Sequence, residues 1–96
     1  MINELIVLPK FEREYKKFTK RIQEIIKQQI KTILENPEIG EIKKGDLAKI
    51  KVHKFKEKNQ LFLLAYEVEY ERKIIYLYSI GTHEGFYKRL KKYITD

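Results

Sequence analysis

The side chains in this 96-residue chain best suited to chemistry fall in two groups. One is a row at every second position, Lys49, Lys51 and His53; the other is a pair four residues apart, His83 and Tyr87. Alternate positions on a strand share a face and lie roughly 6–7 Å apart. That spacing suits consecutive phosphates, or one phosphate undergoing in-line displacement. Histidine is the side chain whose ordinary pKa lets a proton move near neutral pH. If residues 83–87 open a helix, positions i and i+4 share a face, and imidazole and phenol converge on one ligand. Plainer readings stand beside these. A lysine-bearing strand is also how a sheet edge is guarded against pairing. His83 can be an ordinary surface residue, and Tyr87, between Phe86 and Leu90, can be core.

Composition narrows the partners. The chain carries 21 Lys and Arg against 14 Asp and Glu, a net charge of +7. More than half of that excess sits in residues 41–60, where seven lysines stand against Glu41, Asp46 and Glu57. Such focused charge favours a polyanion, because each neutralised phosphate releases condensed counterions. No cysteine is present, which excludes disulfides, thiolate zinc sites and cysteine nucleophiles. Two histidines without a carboxylate cluster at ligand spacing give no metal site, so no cofactor is expected. The longest apolar runs, such as Ile74–Tyr78, are too short to span a bilayer. Met1–Leu5 has neither the basic start nor the apolar stretch of a signal peptide, so a cytoplasmic protein with no membrane partner is expected.

The elements that must position these groups follow from periodicity. Residues 1–96 read as a single domain. Leu5-Ile6-Val7-Leu8, stopped by Pro9, is a first strand. From Phe11 to Leu34 apolar residues recur every three or four positions, giving one stripe on a helix. Unbroken, residues 10–35 would form a rod about 39 Å long. That overhangs a small domain, so a helical hairpin broken near Thr19-Lys20-Arg21 is expected, ended by Asn36-Pro37. A loop over 38–46 leads to a change of period from 3.6 to 2. Strands over 47–55, 61–68 and 73–80 are joined by short turns at 56–59 and 69–72, which forces antiparallel pairing. A helix over 84–94 closes the chain. The fold class is α+β: a small antiparallel β-sheet in the order β-αα-β-β-β-α, with the helical hairpin packed on one face. Alternation assigns Ile50, Val52, Phe62, Leu64 and Tyr66 to the hairpin face. The bare face is then expected to carry Lys49, Lys51 and His53 with Leu63, Ala65 and Glu67.

This order of elements resembles the RelE/ParE superfamily of type II toxins. The Asn36-Pro37-x-x-Gly40 loop fits, as do Gly45-Asp46-Leu47 before Lys49-Ile50-Lys51-Val52, Leu64-Ala65-Tyr66, and Ile80-Gly81-Thr82-His83. The resemblance spans essentially the whole chain, and Gly-Thr-His with an aromatic four residues on is most similar to YafQ-like and RelE-like members. It implies a metal-independent endoribonuclease that cuts messenger RNA in the ribosomal A site and is silenced by a co-encoded antitoxin. It places paired lysines on Lys49 and Lys51, the C-terminal histidine on His83 and the terminal aromatic on Tyr87. Leu63 stands where RelE has a central-strand arginine, and His83 replaces another. Lys54, Lys56 or Arg89 would then supply the missing phosphate contact, with His53 beside them.

The implied reaction is attack of a ribose 2′-hydroxyl on the adjacent phosphorus. It needs a proton acceptor, cations at the phosphorane oxygens and a donor to the leaving oxygen. His83 fits the acid–base role, Lys49 and Lys51 the cationic one, and Tyr87 stacking on a base or holding the phosphate. Two further readings use the same scaffold: a ParE-like poison of DNA gyrase without nuclease activity, and an inactive relic that binds RNA or antitoxin. The expected protein partner is an acidic, extended antitoxin segment.

Overall fold

The apolar stripe from Phe11 to Leu34 folds as two helices, α1 (Pro9–Lys16) and α2 (Lys20–Glu35). Pro9 opens α1, where its missing N–H costs no intrahelical bond. Thr19 sets the start of α2: its hydroxyl accepts from the Ile22 N–H at 3.3 Å. The Gln23 side-chain amide donates to the Tyr15 carbonyl at 3.0 Å and closes the corner. Asn36, with φ −143°, leaves helical geometry ahead of Pro37, and a single 3₁₀ turn over Pro37–Ile39 follows. The computed structural model describes residues 1–42, 45–47 and 49–95. Lys43 and Lys44 of the basic stretch lie outside the described residues, as do Ala48 and Asp96.

Among the described residues five strands form one sheet: β1 (Glu4–Val7), β2 (Glu41–Ile42), β3 (Lys51–Glu57), β4 (Gln60–Glu69) and β5 (Ile74–Thr82), in the order β1-β5-β4-β3-β2. The β3–β4–β5 meander is antiparallel, as its short turns require. β1 instead runs parallel to β5, with Glu4 level with Ile74 and Val7 with Leu77, so the sheet is mixed. The helical hairpin between β1 and the rest supplies the long connection that parallel pairing needs. β2 is a two-residue addition that pairs only with Lys51 and Val52. The final helix, α3, runs from Phe86 to Thr95.

Both faces of the sheet are covered. The hairpin packs Phe11, Ile26 and Ile33 onto Leu64, Tyr66, Ile75, Leu77 and Ile80. On the opposite face, Phe86 and Leu90 of α3 and Leu47 cover Ile50, Val52, Leu63 and Ala65. The expected bare face therefore does not exist, and Ile50 and Val52 belong to the α3 side. The cause is the β3–β4 turn. Only Lys58 and Asn59 separate Glu57 from its partner Gln60, so Lys51 pairs with Tyr66, Val52 with Ala65 and His53 with Leu64. Directly opposed residues project to the same face. A two-residue turn thus puts even positions of β3 with odd positions of β4, which inverts the expected phase of β3.

The loop after α2 is fixed to the sheet by one hydroxyl. Tyr66 Oη donates to the Pro37 carbonyl at 2.7 Å and accepts from the Gly40 N–H at 2.9 Å. A Cβ on Gly40 would lie 2.7 Å from that oxygen and 2.9 Å from the Lys51 Cβ, so only glycine admits this approach. Tyr66→Phe leaves both backbone groups without their partner. It should lower unfolding free energy in urea by about 1–3 kcal/mol while keeping the fold.

Candidate functional site

The inverted phase of β3 turns the row proposed from sequence toward the hairpin. Lys51 and His53 point toward the hairpin and are each 8% exposed. His53 Nε2 lies 2.6 Å from Gln29 Oε1 of α2, and its ring stacks on Phe55. Burial pushes the His53 pKa below its ordinary value, so the ring is neutral near neutral pH. Lys51 Nζ sits 3.5 Å from Glu38 Oε1, beneath the loop that Tyr66 anchors. Lys49 precedes β3 and is exposed. It lines, with Lys51, Ile42, Val68 and Tyr70, a cleft of about 470 Å³ whose remaining lining residues are Glu67, Glu69 and Glu71. There Tyr70 donates a hydrogen bond to Glu38, which holds that carboxyl below its usual range and raises the phenol to about 12. This end of the sheet carries carboxylates among its lysines and makes a poor phosphate track.

His83 lies at the other end. Its N–H donates to the Leu61 carbonyl at 3.0 Å, and Leu61 pairs with Lys56 across β4. Lys51, opposite Tyr66, is five positions further along β4, or roughly 16 Å at strand rise. The lysines that share a level with the end of β5 are instead Lys54 and Lys56, both exposed. Lys54 and Gly81 each pair with Leu63 from opposite sides, which sets their Cα atoms about 10 Å apart. Among the described residues β2 pairs with Lys51 and Val52 and no further along β3, and Lys54 Nζ lies 3.2 Å from Glu41.

Arg89 completes this rim. Its Nη1 donates to the Glu84 carbonyl at 3.0 Å. A Cβ built on Gly81 would lie 3.4 Å from Nη2, and one on Gly85 2.8 Å from Nη1, so the guanidinium rests over two glycines. Gly85, at φ +69°, makes the turn that sends α3 back across the sheet. His83 precedes α3 and does not share a helical face with Tyr87, contrary to the sequence expectation. Tyr87 packs edge-on to Phe86 and joins the apolar core under α3, with its hydroxyl enclosed. Exposed His83, Lys54, Lys56 and Arg89 are thus brought to one edge, whereas Lys49, Lys51 and His53 are not. Among the described residues no three His, Asp or Glu side chains gather as a metal site.

Residues 5–91 match the model of the ParE-like toxin of type II bacterial toxin–antitoxin systems. The chain belongs to this family. A search of curated proteins gives no match. Solved structures agree with the fold of the toxin. The free arginine-substituted variant of E. coli RelE superposes with a TM-score of 0.76 at 23% identity, over 98% of this chain and 99% of that one. The toxin is also similar to a chain of the intact E. coli RelBE toxin–antitoxin complex (TM-score 0.68, 22% identity, 83% and 95% covered). The RelBE2 complex of Mycobacterium tuberculosis gives 0.73 at 13% identity, covering 86% of the toxin and all of that chain. Among the described residues no helix is long and apolar enough to cross a membrane.

Buried neutral His53 makes the toxin acid-sensitive. The unfolded chain takes up a proton near 6.5 where the folded one does not, so this contribution is complete above about 6.5 and is lost as pH falls below it. Urea midpoints measured from pH 8 to 5 should fall over the acid half, and His53→Gln should flatten that fall.

Proposed function

We propose that this toxin is an endoribonuclease acting on messenger RNA at the rim where β3, β5 and α3 meet. The observation that carries this reading is that exposed His83, whose backbone N–H meets the Leu61 carbonyl level with Lys56, lies in the chain between Gly81 and Gly85, the two glycines that the Arg89 guanidinium approaches. In the reaction the ribose 2′-oxygen bonds to phosphorus and the bond to the 5′-oxygen breaks. The products are a 2′,3′-cyclic phosphate and a free 5′-hydroxyl. His83 serves as the acid or base, moving a proton from the 2′-hydroxyl or to the leaving oxygen. Arg89, held in a fixed orientation by the Glu84 carbonyl, offers its remaining N–H groups to the phosphorane oxygens. Lys54 and Lys56 bind flanking phosphates, and Arg89 takes over the role for which Leu63 carries no charge.

The cognate antitoxin is the natural protein partner of this reading, since two of the similar structures are toxin–antitoxin complexes. An acidic segment laid along the rim would compete with RNA for Lys54, Lys56 and Arg89. A second reading, gyrase poisoning, is favoured by the ParE-like description of the matching family.

Induced expression followed by primer extension separates the two. Cleaved transcripts with intact DNA support the nuclease, and gyrase-linked DNA breaks with intact transcripts overturn it. His83→Ala should slow cleavage by about 10²-fold or more, and Arg89→Ala by a similar factor. Lys54→Ala and Lys56→Ala should each weaken RNA binding and lower its salt slope by roughly one unit. Full toxicity of His83→Ala would remove the assigned mechanism.

A further inference from the structure

β5 contains one residue more than its partner needs. Ala65 pairs with Ser79 and Tyr66 with Leu77, so Tyr78 has no opposite number on β4. This bulge changes the phase of the strand. Leu77 and Ile80, three positions apart, both enter the hairpin core, whereas unbroken alternation would put only one of them there. Beyond the bulge, Gly81 faces α3, with the Phe86 ring 3.4 Å from where its Cβ would be. If Tyr78 instead paired with Ala65 in an unbroken ladder, Gly81 would turn toward the hairpin, and Ile80 would stand opposite Leu63 in the place over which Arg89 lies.

The bulge is held by a side chain from the far end of the sequence. Glu14 Oε1 accepts from Ser79 Oγ at 2.8 Å and from the Ile80 N–H at 3.0 Å. Glu14 Oε2 accepts from Lys10 Nζ at 2.6 Å. That ammonium lies 5.6 Å from the centre of the Tyr93 ring on α3. Ser79 is 2% exposed, a polar side chain satisfied inside the fold by this carboxylate.

We propose that Glu14 is a positioning residue whose carboxylate fixes the β5 bulge and so keeps Gly81 on the α3 side of the sheet, which sets how the chain leaves β5 into His83. The inference rests on the ribonuclease reading for its consequence in catalysis, though not for its structural content. Glu14 touches neither RNA nor His83; it acts through the strand.

Three variants test it: Glu14→Ala, Glu14→Gln and Ser79→Ala. The glutamine oxygen still accepts from Ser79 and Ile80, so E14Q should stay within about threefold of the parent in kcat. In folded E14A, kcat should fall tenfold or more with KM within twofold. Its Ile80 amide should exchange at least tenfold faster, and the nuclear Overhauser contact between Gly81 and the Phe86 ring should weaken. Wild-type kcat in folded E14A, or equal damage in E14Q, overturns the proposal. If E14A does not fold, S79A carries the test. A lowered kcat with faster Ile80 exchange supports the proposal, and no change in either overturns it. A parent protein that cuts no RNA overturns the ribonuclease reading instead. Ile80 exchange and the Gly81–Phe86 contact then decide the role of Glu14 alone.

Discussion

Burial of β4 on both faces is the constraint to which the rest of the molecule answers. Leu63, Leu64, Ala65 and Tyr66 are each wholly inaccessible, two directed to the hairpin and two to α3. A strand of this kind leaves no polar face to spare, so its neighbours must match it residue for residue. β3 does so through a two-residue turn, and β5 through one extra residue. Each adjustment decides which charged groups are enclosed and which reach water.

Charge is accordingly driven to the margins. Lys51 and His53 fall on the inner side of β3 and are tolerated there because Glu38 and Gln29 meet them. Lys54, Lys56, His83 and Arg89 gather where the cover of both layers ends. The guanidinium lies so close over Gly85 that a Cβ there would fall 2.8 Å from it, and it meets Gly81 at an ordinary contact distance. Tyr66 performs a comparable service at the opposite end, joining the loop after α2 to the sheet through two backbone groups.

Much of this was legible in the sequence, and the failures have definite causes. The stripe from Phe11 to Leu34, its break at Thr19 and its stop at Asn36-Pro37 follow from periodicity and capping, and the structure has all three. The meander follows from its short turns. Period alone, however, gives a strand two faces without saying which is which. The phase of β3 depended on a turn whose length composition leaves open by one residue, and that single residue displaced Lys51 and His53 from the expected site. Helical spacing at His83 and Tyr87 misled because Gly85 delays the start of α3 to Phe86. The contacts of Glu14 with Ser79 and Ile80 join residues 65 and 66 positions apart, and no local pattern announces them.

The parallel pairing of β1 with β5 also orders events during synthesis. Glu4 meets Ile74 and Val7 meets Leu77, so the strand translated first has no partner until the last strand of the sheet has been made. The same holds for the apolar side of α1 and α2, whose resting place is built from Leu64, Tyr66, Ile75, Leu77 and Ile80. Closing so long a segment costs entropy before any contact repays it. The nascent chain therefore emerges with a greasy helical pair lacking its platform until β4 and β5 are made, and α3 must follow before the second face is covered.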